Sequence, residues 1–252
     1  MKGTHFNRPL EFKIEIQGEQ WIQGQAIRGE FEIINHSPEK QDLKTFELGL
    51  AFGHLKKIKN KDSKAFEIDQ KIPFPKEIAG KATLQFSWDF LLPKNAPISD
   101  KSSSYFLLYG DLSQPMSAGQ LQTLIFPLPI YLSFVEIFEN FFRFKKKEIK
   151  SKKGRIEVLF APPITKDFIG LESLLCSFLV KDQEIELIFH AELKKMAYVD
   201  GDMKIKIVGE KVELLLTNKQ YLLYQNSLNQ EVVIKALDEV LQKFKGKVLG
   251  AS

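Results

Sequence analysis

Between Leu84 and Leu92 every second residue is large and apolar: Leu84, Phe86, Trp88 and Phe90 alternate with Gln85, Ser87 and Asp89, and Leu92-Pro93 stops the run. A period of two places one row of side chains on one face, the pattern of a half-buried strand. A turn-rich segment with Pro97, Ile98 and Ser99 follows, and Tyr105, Leu107 and Tyr109 begin a second alternating row. A strand with one aromatic face needs another layer to bury it, so the pair predicts a β-sandwich.

The same alternation recurs through the first half. Phe12, Ile14 and Ile16 face one way, Ile27, Phe31 and Ile33 follow after Gly24, and Phe46, Leu48, Leu50 and Phe52 make the next row. Phe66 and Ile68 come after a lysine-rich connection from Lys56 to Lys64, which predicts a solvated hairpin tip. No helix long enough for a βαβ crossover is expected here.

The second half opens on a different period. Ile130, Phe134, Ile137, Phe138 and Phe141 recur at helical spacing, with Ser133, Glu136, Asn140 and Arg143 opposite, which predicts a junction helix over about 130–144. Alternation returns in Ile156, Val158 and Phe160, and again in Ile185, Leu187, Phe189 and Ala191. Asp200-Gly201 has the composition of a type I′ hairpin turn. Ser227 and Gln230 form a capping-box pattern ahead of Val233, Leu237, Val240, Leu241 and Phe244, and Gly246 marks a stop, so a C-terminal helix is expected over about 228–245.

A chain of 252 residues, 44% hydrophobic, suits two modest cores and is too apolar for disorder. The expectation is all-β: two tandem antiparallel immunoglobulin-like sandwiches, 1–128 and 129–252. From Arg143 to Arg155 eight basic residues meet the single Glu148, a local +7 in a chain of net +4, so the remainder is about −3 and offers no general polyanion surface. No nucleic-acid partner is expected. The single Cys176 makes no internal disulfide, and one thiol with four scattered histidines builds no zinc site, so neither metal nor cofactor is expected. This usage suits a reducing cytoplasm. Met1 to Leu10 lacks the apolar core of a signal peptide, and Leu124 to Phe138 is interrupted by Pro127, Pro129 and Glu136, so the expectation is a soluble cytoplasmic chain.

Three stretches resemble the arrestin-like superfamily, most closely its bacterial sporulation-control type. Trp21 to Ile33, reading WIQGQAIRGEFEI, is similar to the family's second strand with its paired glycines. Leu84 to Ser99, reading LQFSWDFLLPKNAPIS, is similar to its aromatic strand ending in Leu-Pro, with Ser104 to Asp111 as the next strand. Ile156 to Leu193 resembles the opening of the second domain. The likeness runs over most of residues 10 to 195, with Leu171-Glu172-Ser173 in place of a more acidic run and no counterpart for the helical tail from Asn229 to Lys245. The resemblance implies an adaptor or regulator that holds protein partners and performs no chemistry.

Catalytic patterns are missing from the residues themselves: there is no Gly-x-Ser-x-Gly elbow, phosphate-binding loop or His-Glu-x-x-His. Cys176 sits in an apolar run, as an inert core thiol does. His190 shares a strand side with Glu186 and Glu192, a row that reads as a solvated sheet face. The remaining candidate is the basic run Lys145, Lys146, Lys147, Lys150, Lys152 and Lys153, which follows the phenylalanines Phe134, Phe138, Phe141, Phe142 and Phe144. Aromatics inserted beneath lysines would suit an anionic membrane surface. The plainer arrangement is a helix packed between domains followed by a lysine-tipped hairpin in water. The expected function is a non-enzymatic cytoplasmic scaffold or regulatory adaptor for protein partners, acting through sandwich edges and loops. The alternatives are a peripheral membrane or trafficking adaptor using 138–153 and a carbohydrate-active β-sandwich. The oligomeric state is left open.

Overall fold

The computed structural model describes residues 1–199, 202–224 and 227–245. The chain forms two compact units, Met1–Phe126 and Pro127–Ser252.

In the first unit one sheet runs β1 (Lys2–Asn7), β2 (Leu10–Ile16), β4 (Ala26–Asn35), β9 (Thr83–Leu91). The other runs β3 (Gln20–Ile22), β11 (Gly119–Phe126), β10 (Ser103–Asp111), β6 (Phe46–His54), β7 (Phe66–Pro73). A short pair, β5 (Gln41–Asp42) with β8 (Glu77–Ile78), lies outside both. Ladders are antiparallel except β11 with β3. The period-two rows meet between the sheets: Phe12, Phe31, Trp88 and Phe90 share one core with Leu50 and Tyr109. Burying such side chains contributes about 1.5–3 kcal/mol each, and this is what drives the alternation.

Two glycines make that closure possible. Gly24 turns at φ 83°, a left-handed conformation that costs other residues strain. Gly29 lies directly opposite Trp88, and a Cβ on it would stand 2.0 Å from the Glu15 carbonyl oxygen.

β10 departs from simple alternation, because it is buried on both faces. Tyr105, Leu107 and Tyr109 enter the main core, while Phe106 and Leu108 form a second cluster with Ala51, Leu112 and Ala118. Leu55 and Ile58 of the short helix α1 (Leu55–Lys59) pack against that cluster. The lysine-rich connection therefore starts as a helical cover for the sheet and not as a bare hairpin tip.

The second unit has one sheet among the described residues, an antiparallel meander of β12 (Lys145–Lys152), β13 (Arg155–Ala161), β14 (Leu171–Val180), β15 (Glu184–Val199) and β16 (Asp202–Thr217). Helices occupy the place where a second sheet was expected in this half. α2 (Pro129–Asn140) buries Tyr131, Phe134, Val135, Ile137 and Phe138, and α4 (Gln230–Gln242) buries Val233, Leu237, Val240 and Leu241. The Phe138 ring stacks 4.7 Å from that of Phe160 on β13, and Phe134 meets Phe178 on β14 at 5.9 Å. A row spaced by two positions needs an apolar lid, and a helix stripe supplies one as well as a sheet does. The all-β character stands, since helices remain a minor part of the chain.

α2 thus belongs to the core of this unit and is shorter than 130–144. It stops at Asn140, Arg143 takes φ 61°, and Phe144 is buried beyond the helix. Tyr131 lies inside, whereas Phe141 is 57% exposed. α3 (Asn218–Tyr221) carries the capping box, formed by Thr217 and Gln220. α4 starts later than 228 and is capped by Asn229, whose side chain accepts from the Val232 amide, in place of the expected Ser227. Asp200-Gly201 and Gly246 lie outside the described residues, although Val199 pairs with Asp202 across the two-residue connection.

Candidate functional site

The basic run forms a strand at the edge of the second unit's sheet. Among the described residues β12 pairs with β13 alone, from Lys145 opposite Ala161 to Lys152 opposite Arg155. Lys153 at φ 51° and Gly154 at φ 74° join the two strands, the pair of positive φ values that a tight hairpin turn requires. The signal was present in the sequence: a Lys-Gly dipeptide directly before the alternation Ile156, Val158, Phe160.

The register assigns the faces. Lys145, Glu148, Lys150 and Lys152 pair with Ala161, Leu159, Glu157 and Arg155 and share the outer face with them. Lys146 pairs with Phe160, and the register shifts between Lys146 and Glu148, leaving Lys147 in a bulge. Glu139 of α2 accepts the Lys146 amide at 3.3 Å, which satisfies the backbone where the bulge interrupts the ladder. The lysine heads are mostly unpaired: Lys150 meets Glu148 at 3.2 Å, while Lys145, Lys146, Lys147, Lys152 and Lys153 make no ion pair among the described residues.

The phenylalanines do not accompany the lysines to the surface. Phe134, Phe138 and Phe144 are fully buried, Phe142 is half-buried, and only Phe141 is exposed. The arrangement proposed for membrane insertion therefore loses its aromatic half, because the meander consumed those rings as its lid.

Charge on the other edges is balanced or sparse. β16, the opposite edge of the same sheet, carries three lysines against three acids. In the first unit, Lys2 on the edge strand β1 meets Glu15 at 3.0 Å, and Ser87 on the edge strand β9 donates to Glu30 at 2.9 Å. β12 has five lysines against one glutamate.

The row suspected of chemistry is tied up in pairs. Arg155 Nε donates to Ser177 Oγ at 2.8 Å and its Nη1 reaches Glu186 at 3.3 Å; Lys181 bridges Glu184 and Glu186 at 2.8 and 3.1 Å. The Lys181 hydrogen bond, with help from Arg155, holds the Glu186 carboxyl below its usual range. Glu192 accepts from Ser173 at 2.8 Å, and His190 is exposed opposite Lys211. Cys176 is fully buried, and burial pushes its thiol well above the ordinary value. The hairpin read from the sequence between Leu193 to Tyr198 and Met203 to Val208 is the outer end of a longer β15–β16 pair, which runs from Glu184 to Val199, extends past Leu193 opposite the start of β14, and exposes Met196, Ile205 and Ile207.

Among solved structures the chain is similar to the sporulation control protein Spo0M from Bacillus subtilis, with a TM-score of 0.66 over 93% of this chain and 98% of that one, at 16% identity. The fold is arrestin-like. That likeness agrees with the resemblance carried by Trp21 to Ile33 and Leu84 to Ser99. An alkylpurine DNA glycosylase, AlkC from Pseudomonas fluorescens, and a secreted serine protease, VesC from Vibrio cholerae, match at TM-scores of 0.28 and 0.23 and 10% identity each. AlkC covers 49% of this chain and 30% of its own, VesC 81% and 43%, and neither likeness supports an argument. No family model matches the chain, and no curated protein does. Among the described residues no helix is long and apolar enough to cross a membrane.

Proposed function

We propose that this chain is a regulatory adaptor that works by holding a protein partner on its sheet edges and loops, inside the cytoplasm, with no reaction of its own. The likeness to a sporulation control protein along 93% of the chain carries this reading. The side-chain chemistry supports it: acids in the one suspicious row are engaged by Arg155, Lys181 and Ser173, and the single thiol is sealed in the core. Rigid sheets with unpaired edge strands offer backbone and side chains to an incoming segment, which is how a β-scaffold recognises a protein without a pocket.

The test is a native pull-down with the full chain at physiological salt. Recovery of one protein in stoichiometric amount is the expected result. Empty pull-downs together with retention on a glycan array would replace this reading with a carbohydrate-binding one.

A further inference from the structure

We propose that the end of the second unit's sheet from which the β15–β16 hairpin projects docks on an anionic phospholipid surface. Such docking goes beyond the adaptor reading: it fixes where the chain sits, whichever protein it holds. The register brings three stretches to that end. Leu171 at the start of β14 pairs with Leu193, so Lys194–Val199 and the strand opposite them run past β14 as a two-stranded ribbon, about 20 Å long at 3.4 Å per residue. Lys145 begins β12 opposite Ala161, the last residue of β13. The connection 162–170 returns to β14 beside the ribbon, where the Lys194 amide donates to the Gly170 carbonyl at 2.7 Å.

Large apolar side chains stand in water on these stretches. Ile164 is fully exposed, Ile169 and Ile205 are 71% and 69% exposed, and Met196 and Ile207 are half exposed. Left so, they forgo the gain of burial, and an exposed apolar cluster of this kind marks a contact surface. Residues 143–147, 162–172 and 194–208 also hold nine basic residues against four acids, a net of +5. Glu172 is taken by Lys194, whereas Lys145, Lys166, Lys204 and Lys206 make no ion pair among the described residues.

Charge and shape together select a lipid surface. On the ribbon Met196 pairs with Ile205 and shares a face with Ile207, while Lys204 and Lys206 take the opposite face. A folded partner covers one face and leaves the other row in water. The boundary between acyl chains and anionic head groups surrounds a projecting ribbon and meets both, with lysine stems along the apolar layer and ammonium heads at the phosphates. The same positive charge opposes a second copy approaching end to end. Two strands cannot close into a barrel, so the ribbon rests at head-group depth and does not span the bilayer. The phenylalanines that neighbour the lysines in sequence are mostly buried, and the apolar half of this surface comes instead from isoleucines that the fold gathers from distant positions.

The experiment sediments the full chain with vesicles of phosphatidylcholine, with and without phosphatidylserine. It should pellet only with phosphatidylserine, and less as salt rises. Lys204→Gln/Lys206→Gln should weaken binding about thirtyfold, and Ile205→Ser/Ile207→Ser at least about tenfold at the same salt. Leu223→Ser, exposed beyond the other end of the sheet, should bind as the wild type does. These positions are all exposed, so the variants should melt with the wild type. Ile164→Trp should shift its emission to the blue when phosphatidylserine vesicles are added, because the ring then leaves water.

No pelleting with phosphatidylserine, equal pelleting without it, wild-type binding by the isoleucine variant, an equal loss in Leu223→Ser, or an unshifted Ile164→Trp spectrum would overturn the proposal. So would a protein whose capture requires Ile205 and Ile207 while vesicles are ignored. Vesicle binding alongside empty pull-downs would support membrane docking and remove the adaptor reading alone.

Discussion

Trp88 stands directly across the ladder from Gly29, its indole Cζ2 2.7 Å from where a Cβ on Gly29 would be. The ring occupies the space that a side chain on β4 would have taken, and it packs against Phe90 at 5.6 Å. Gly29→Ala forces a methyl onto both the ring and the Glu15 carbonyl, so it should destabilise the first unit by about 3 kcal/mol. Urea unfolding followed by tryptophan fluorescence checks this, and a midpoint unchanged from wild type would show that the contact is slack. Trp88→Phe should cost less than about 1.5 kcal/mol, because it also removes the buried Nε1 that lacks a hydrogen-bond partner.

The two phenylalanines Phe138 and Phe141 lie one helical turn apart in sequence and differ completely in burial. Phe138→Ala should cost about 3–5 kcal/mol, and Phe141→Ala no more than about 0.5 kcal/mol. Thermal melts of both variants separate a core helix from a surface one. Similar melting temperatures for the two would contradict the packing of α2 on the sheet.

Asp100 gives the fold a pH dependence. Burial raises its carboxyl, but four hydrogen bonds to Oδ1 from the amides and hydroxyls of Ser102 and Ser103 outweigh that and leave it below the usual value. A group with a lowered folded-state value stabilises fully above its unfolded value, about 3.9, and loses that contribution as pH falls through the folded one. Stability measured from pH 6 to pH 2 should therefore drop less steeply below about pH 4 in Asp100→Asn than in the wild type. Parallel curves would remove Asp100 from the account.

Lys153 holds a left-handed conformation that asparagine adopts more readily. Lys153→Asn should raise stability by about 0.5 kcal/mol with an unchanged m-value, whereas Gly154→Ala should lower it by about 1 kcal/mol. Opposite signs would mean that the hairpin turn is of another type.

Cys176 should be silent to a thiol reagent in the native protein and react fully in denaturant, since it is sealed in the sheet's inner face and its thiol is held protonated. Rapid native labelling would place the second unit's core open to solvent.

Local periodicity made the strand rows of the first unit readable, because a half-buried strand must alternate, and Phe12, Phe31 and Trp88 face inward as their spacing requires. It also made the helical stripes of α2 and α4 readable, with their ends off by a few residues, since caps such as Asn229 and the left-handed Arg143 depend on geometry that spacing does not carry. The candidate lysines were visible as charge but not as an edge. Whether Lys145 to Lys152 lie on a helix, a loop or a strand depends on pairing with Arg155 to Ala161 and on the absence of a further strand beside them in the described sheet.

The residues by themselves determined the periods, the turn at Gly24, the inert thiol and the concentration of lysine after Phe144. Tertiary structure alone decided which layer covers each row: β10 is buried on both faces because α1 and the Leu112 region roof its outer side, and helices, not strands, close the second unit. A side chain records only that it must leave water, and the element that excludes the water is chosen by contacts between residues far apart in the chain.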